Sequence, residues 1–363
     1  MALANQKPMA DITPANGGIL PSQAIERLIA DGTLKLAQSL IDGQIQPASL
    51  DLRLGETAYR VRASFLPGPG VAVDDRLNDL ALHEIDLREG AVLEVGCVYL
   101  VPLLESLSLP LNLSAACNPK SSTGRLDVFT RVITDSCSAF DTIEDGYKGP
   151  LYAEICPQTF PVLVCTGSRL SQIRFREGVP EAAQGISDGQ LDSVVSLSVD
   201  LAGDPETGFV GYRAKRHTGV IDVDAPGAYD VLDFWEPIHA RGATQLILDP
   251  DQFYILASKE AVTVPPSHAA EMVPFNPLVG EFRVHYAGFF DPGFGYSEAG
   301  GEGSKAVLEV RSHKVPFILQ DGQIIGQLIF EPLTETPDQI YGAGIGSHYQ
   351  AQGLKLSKHF RRG

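Results

Sequence analysis

No Cys-x-x-Cys pair occurs anywhere in the 363 residues, and the five cysteines (Cys97, Cys117, Cys137, Cys156, Cys165) stand far apart in an odd number. That argues against a disulfide framework and for reduced thiols in a cytoplasm. Met1 to Asn16 carries one lysine, two prolines and no apolar core, so it does not read as a secretory leader. No hydrophobic run approaches the roughly 18–20 residues that span a bilayer, which argues against a membrane protein. Positive charge is scarce: 28 Lys and Arg face 45 Asp and Glu, a formal net charge of −17. So acidic a surface opposes attachment to nucleic acid or anionic lipid, and any phosphate ligand needs a local basic pocket working against the global field. Familiar catalytic signatures are missing too. There is no G-x-S-x-G elbow and no Walker loop, and the eight histidines show no spacing with cysteine that announces a thiol nucleophile. The H-x-E with Cys-x-x-Cys that holds a catalytic zinc in base-modifying hydrolases is also absent.

What is plentiful is glycine (36) and proline (25), above their ordinary combined share of about 12% and without a Gly-X-Y period. With 44% hydrophobic residues a core is available, so this richness means many turns and short strands rather than disorder. At about 150 residues per domain the length suggests two domains. The chain also repeats itself. Tyr99, Glu105, Leu107, Leu109 and Pro110 meet Tyr254, Glu260, Val262, Val264 and Pro265 at a constant offset of 155 residues. The same offset pairs Glu154 with Glu309, Pro161 with Pro316, Gly167 with Gly322, Gln172 with Gln327 and Phe175 with Phe330. This predicts an N-terminal extension (1–17), a first repeat (18–178), a polar linker (179–192), a second repeat (193–340) and a tail (341–363).

Apolar runs at Ala91–Leu104, Leu151–Ile155, Leu170–Phe175 and Gln323–Phe330, bounded by Gly or Pro, predict strands. One helix is predicted over Pro21–Asp31, capped by Ser22, with Ile25, Leu28 and Ile29 on its apolar face and Gly32 ending it. Strand–helix alternation is lacking. The expected fold is therefore all-β with few short helices, arranged as two tandem small barrels or sandwiches.

Three segments could carry chemistry. Asn118 to Arg125 (NPKSSTGR) gathers Lys120, Arg125 and the hydroxyls of Ser121, Ser122 and Thr123 around Gly124, on what reads as a loop between strands. Such groups suit polyphosphate oxygens, although a polar turn with an incidental charge pair has the same composition. Phe140–Gly149 and Tyr286–Gly295 read as glycine-turn hairpins, each leading into a strand with one carboxylate, Glu154 in LYAEI and Glu309 in AVLEV. A buried strand Glu is costly unless it is paired or working, and beside an arginine it can act as a general base. The alternative is that both point to solvent. Tyr341–Gly353 (YGAGIGSHYQAQG) offers Tyr341, His348 and Gln352 on a glycine-rich tail, which reads equally as a closing lid or as a loose terminus.

Together these segments resemble the dCTP deaminase family of the dUTPase-like superfamily. The matching stretches are QPASLDLRLG (46–55), NPKSSTGRL (118–126), DGYKGPLYAEI (145–155), FFDPGFG (289–295), AVLEV (306–310) and GQIIGQLIFEPL (322–333), with the tail following. The resemblance covers nearly the whole chain, counted as two family-sized copies. It implies two tandem dUTPase-like β-barrel (β-clip) repeats and zinc-free hydrolysis of dCTP to dUTP and ammonia, supplying dUTP for dUMP and dTTP synthesis. It implies a catalytic Glu that shuttles a proton between water and the leaving amine, Ser121 holding that water or the exocyclic group, and Arg125 against the Glu. Nucleotide contacts carry over to Lys120, Ser122, Thr123, Gly124, Ala287, Asp291, Leu308, Tyr341, His348 and Gln352. Lys120 and His348 stand where the family usually has Arg and Lys, so the first grip is less bidentate and the second pH-sensitive. Magnesium is expected only with the triphosphate.

The repeats are unequal. The first keeps the Ser/Arg loop, but Phe140 and Thr142 occupy base-contacting positions of its hairpin, and Glu144 stands for the family's Asp. The second keeps Ala287, Asp291, Pro292 and Gly293, but its loop counterpart, Pro274–Glu281 (PFNPLVGE), lacks both serines and the arginine. Family sites form between neighbouring units. The expectation is therefore a composite site, with the first repeat's loop facing Asp291 and Glu309 of the second; a rival sets that loop against Glu154 of another chain. One two-repeat chain cannot close a threefold ring, so a homo-oligomer is expected, a trimer of such chains or another multiple. Competing functions are a dUTP diphosphatase, a bifunctional deaminase–diphosphatase and a non-catalytic nucleotide-binding regulator.

Overall fold

A computed structural model of the chain describes residues 17–178, 194–240, 244–274, 282–284, 288–296, 303–312, 314–342 and 354–361. The predicted all-β class holds: strands dominate, and the helices are Ser22–Ala30, Val73–Leu80 and the single turns Ser121–Gly124 and Val231–Phe234. The first of these lies where expected, with Gly32 in the left-handed region (φ 79°) just beyond its end. Its cap differs. Pro21 occupies the N-cap in extended conformation, with no side-chain cap bond, and Ser22 is already helical. Proline's fixed φ and missing N–H suit the entry to a helix, where no hydroxyl is then required.

The first repeat folds as two six-stranded sheets. In one, Leu113–Pro119 and Ser171–Gly178 are neighbours, with Thr142–Ile143 and Ser49–Leu52 outside them. In the other, Lys148–Pro157 lies between Val128–Thr134 and Val98–Ser108. The predicted run Ala91–Leu104 is in fact two strands, Ala91–Leu93 and Val98–Ser108, because Gly96 (φ 74°) turns the chain between them. The second repeat sets out its counterparts at the same offset. Phe253–Val262 answers Val98–Ser108, Ser304–Ser312 answers Lys148–Pro157, and His268–Pro274 answers Leu113–Pro119.

The two halves share a core. One apolar cluster joins Leu126, Val128, Ala153, Ile155 and Phe160 of the first half to Phe234, Trp235, Phe253 and Ile255 of the second, and the C-terminal Leu356 and Phe360 close it. Trp235 lies edge-on to Phe160 and Phe360, with ring centroids 5.4 and 5.9 Å apart. Aromatic rings at this density fill the seam with large apolar area in preferred edge-to-face geometry. A three-stranded sheet also crosses the seam, Ile221–Asp222 pairing parallel with Val162–Val164. The repeats are thus fixed against each other by core packing, so side chains meeting at the seam are held to a definite distance.

Candidate active site

The segment expected as a plain loop is a turn of helix. Lys120 is its extended N-cap, its N–H bonded to the Leu170 carbonyl (2.9 Å), and the Gly124 and Arg125 N–H groups donate to Lys120 and Ser121 carbonyls. Asp127 follows with φ 57°, a left-handed residue that ends the turn and sends the chain into Val128–Thr134. Ser122, Thr123, Gly124 and Arg125 are buried, while Lys120 and Ser121 are half-buried. Lys120 pairs with Asp51, and Arg169 reaches the same carboxylate at 3.3 Å.

Across the seam, Arg125 Nε stands 4.0 Å from Glu309 Oε1. Glu309 lies on Ser304–Ser312, with 4% of its surface exposed. Burial raises its proton affinity well above the usual carboxylate range; Arg125 opposes that and Asp127 adds to it. The second strand glutamate, Glu154, is equally buried but differently occupied. Arg131 of its own repeat pairs with it, and that guanidinium lies over the rings of Phe129 (4.5 Å) and Phe140 (3.5 Å). Neither glutamate points to solvent.

Asp291 also comes to the seam, where Arg174 of the first repeat meets it at 3.5 Å. The same guanidinium donates to the carbonyls of Ala48, Ala270 and Phe290 and lies over the Phe289 ring. The two expected hairpins are instead turns between strands of different sheets: Thr142–Ile143 pairs with Leu113–Pro119, and Phe289–Phe290 with His268–Pro274, neither with the glutamate strand that follows. Tyr341 begins the tail against the Asp291 turn: its N–H donates to the Pro292 carbonyl (2.7 Å), and its ring sits 5.8 Å from that of Phe294. Gly293 (φ 90°) permits this approach, since a Cβ there would fall 2.9 Å from that of Ile340. Leu308 alternates away from Glu309 and belongs to the apolar core of the second repeat, so only its backbone is on offer to a ligand. Ala287, His348 and Gln352 lie outside the described residues, as do 275–281.

The last part of the tail, 354–361, in which no residue stood out as a contact, returns over the Ser/Arg turn. Ser357 Oγ donates to the Ser122 carbonyl (2.7 Å), and Arg125 Nη1 donates to that of Lys355 (3.2 Å). His359 Nε2 bonds the Val223 carbonyl and its Nδ1 meets Ser357 Oγ. Burial lowers the His359 pKa to about 4, so at neutral pH Nε2–H donates and Nδ1 shares the single Ser357 hydroxyl proton with Ser122. Lys358 stands among Lys120, Arg169 and Asp51; burial and the two cations lower its proton affinity. Alternating Leu354, Leu356 and Phe360 are the sequence signal that this stretch docks instead of fraying.

The models for 2'-deoxycytidine 5'-triphosphate deaminase match the chain twice, the N-terminal domain over residues 16–179 and the C-terminal domain over 166–360. A solved 2'-deoxycytidine 5'-triphosphate deaminase from Agrobacterium tumefaciens is 60% identical and superposes with a TM-score of 0.82, over 88% of this chain and 99% of that one. Among curated proteins, a dCTP deaminase from Halorubrum lacusprofundi is 31% identical over 140 residues, 38% of this chain and 66% of that protein. A "dCTP deaminase, dUMP-forming" from Sulfurihydrogenibium sp. is 29% identical over 161 residues, 43% of this chain and 82% of that protein. With both domain models on a seam that joins a Ser/Arg turn to a buried glutamate, the chain belongs to the dCTP deaminase family.

Proposed function

We propose that the chain hydrolyses dCTP to dUTP and ammonia at the seam between its two repeats, with Glu309 as general base. The observation that carries this reading is the Arg125–Glu309 approach of 4.0 Å across that seam. Water attacks C4 of the cytosine ring while Glu309 takes its proton. As water adds, the C4–N3 π electrons move to N3; the proton on Glu309 then passes to the exocyclic nitrogen, the C4–N bond breaks to release ammonia, and the remaining hydroxyl proton ends on N3 as C4=O forms. A carboxyl whose proton affinity is raised by burial is a better acceptor for the water proton than an exposed one. Ser121 positions the water or the exocyclic group, and Arg125 keeps the carboxylate available before substrate enters. Lys120, with Arg169 and Lys358 beside it, receives the triphosphate oxygens, any magnesium being carried by the nucleotide itself; Ser122, Thr123 and Gly124 offer backbone and hydroxyl contacts. Tyr341, His348 and Gln352 close the nucleotide in. Asp291 helps to shape the base pocket through its turn. The chemistry is zinc-free and runs in the cytoplasm, in a homo-oligomer that completes the ring the two repeats leave open.

Some relatives are named dUMP-forming, which makes continuation to dUMP the second reading. It needs a carboxylate to activate water at phosphorus. Asp291, the candidate, is held by Arg174, which favours the reading that stops at dUTP. Incubation with dCTP and magnesium, followed by anion-exchange separation and an ammonia assay, tests both. Ammonia with accumulating dUTP is the expected result, and ammonia with dUMP and pyrophosphate supports the second reading. dUTP hydrolysis without ammonia from dCTP indicates a diphosphatase, and binding without turnover a regulator. Activity is expected to survive a zinc-selective chelator.

Lys358 supplies a separate prediction. In Lys358→Gln the KM for dCTP rises about tenfold, an effect typical of one lost charge-assisted phosphate contact. The KM for dCMP stays within about twofold, because the contact lies at the far phosphates. Steady-state kinetics on both nucleotides check this; equal rises would place Lys358 outside the phosphate site.

A further inference from the structure

Two further charges cross the seam beside the catalytic pair. Asp127 ends the Ser/Arg turn two residues after Arg125, and Arg311 follows Glu309 by two on the same face of its strand. The Asp127 carboxylate, 1% exposed, accepts from Arg311 and from the hydroxyl of Thr159. Arg311 also donates to Thr159 (2.9 Å) and to the Asp251 carbonyl (2.7 Å). Cation and anion therefore alternate along the seam, Arg125 against Glu309 and Asp127 against Arg311.

We propose that Asp127 and Arg311 are positioning residues for Glu309: their pair locks the end of the Ser/Arg turn to the strand that carries Glu309, and the Asp127 charge helps to hold the proton there. The inference rests on Glu309 being the proton acceptor. Glu309 faces Arg125 and Asp127 from the first repeat, and its ladder partner on the neighbouring strand is Ile255. That neighbour is apolar, and a like charge held nearby favours the protonated form. Arg311 acts on Glu309 through Asp127 by partly neutralising it.

Opposite signs follow from the two ends of the pair. Asp127→Asn removes the anion but keeps a residue that tolerates positive φ. The acidic limb of the kcat/KM profile then moves to lower pH, by on the order of one unit. Arg311→Met leaves Asp127 unneutralised, and the limb moves to higher pH. A role in packing alone lowers kcat in both variants and leaves the limb where it was, which overturns the proposal, as do shifts of the same sign. The titration is also read without turnover, by pH-difference infrared spectroscopy of the free protein, with the Glu309 band assigned by its loss in Glu309→Gln. A Glu309 band whose midpoint is unmoved by Asp127→Asn sinks the inference even in a protein that deaminates normally. Absence of ammonia release by the unaltered protein overturns the deaminase reading and leaves this titration decisive for the pair.

Discussion

Glu309→Gln is expected to lower kcat for dCTP deamination by about a thousandfold, within the 10²–10⁴ that a positioned general acid–base group contributes. The substitution keeps shape and one acceptor oxygen, so the melting temperature stays within a few degrees and the loss is chemical. Glu154→Gln is the counterpart. Its carboxylate is already engaged by Arg131, packed against Phe129 and Phe140. Its removal costs stability, about 1–3 kcal/mol for a buried charged hydrogen bond, and changes kcat by no more than a few fold. Single-turnover rates and thermal melts on both variants separate the two effects. Full turnover by Glu309→Gln, or a thousandfold loss in Glu154→Gln with an unchanged melt, would place the base in the first repeat.

Much of this arrangement can be read from the residues. The 155-residue offset anticipates which strands correspond, and the loss of serines and arginine from 274–281 singles out the first repeat's turn as the one to pair with Glu309. The local form of that turn was not legible. Ser121, Ser122, Thr123 and Gly124 are indifferent helix formers, and their turn is supported by partners distant in sequence, the Leu170 carbonyl and Ser357. Arg174 escaped notice for a related reason. In the strand SQIRF it alternates with Ile173 and Phe175, so by period two it belongs on a solvent face. That face is covered by the second repeat, and a single repeat's pattern does not reveal what covers it. Asp127 and Arg311 were hidden likewise, each an ordinary charge until the seam closes over both. The contacts of the terminus are not legible because its apolar alternation is short and includes Ser357 and His359, which are buried through hydrogen bonds.

Arg174→Met is expected to destabilise the protein by about 3–5 kcal/mol, the usual cost of removing one partner from a buried ion pair. Arg174 is 2% exposed and ties four groups together: the carbonyls of Ala48, Ala270 and Phe290 and the carboxylate of Asp291. Methionine fills much of the volume over Phe289 but satisfies none of these acceptors. Burial already raises the proton affinity of Asp291, and Arg174 is the largest force opposing it. Without the guanidinium that affinity climbs further above its unfolded value. A group raised in this way stabilises the fold below its unfolded pKa and loses that contribution as pH rises through the folded one. The deficit of Arg174→Met is therefore smallest in mild acid and largest at alkaline pH. Adding Asp291→Asn removes the stranded charge, so the double variant recovers part of the loss and its pH dependence flattens. Urea unfolding of the three proteins at pH 5 and pH 8 provides the comparison. A deficit below about 1 kcal/mol at both pH values would mean that the Asp291 turn is held to the first repeat by apolar packing alone. A pH-dependent deficit relieved by Asp291→Asn instead makes this one arginine the clasp that holds the second repeat's Asp291 turn to the first repeat.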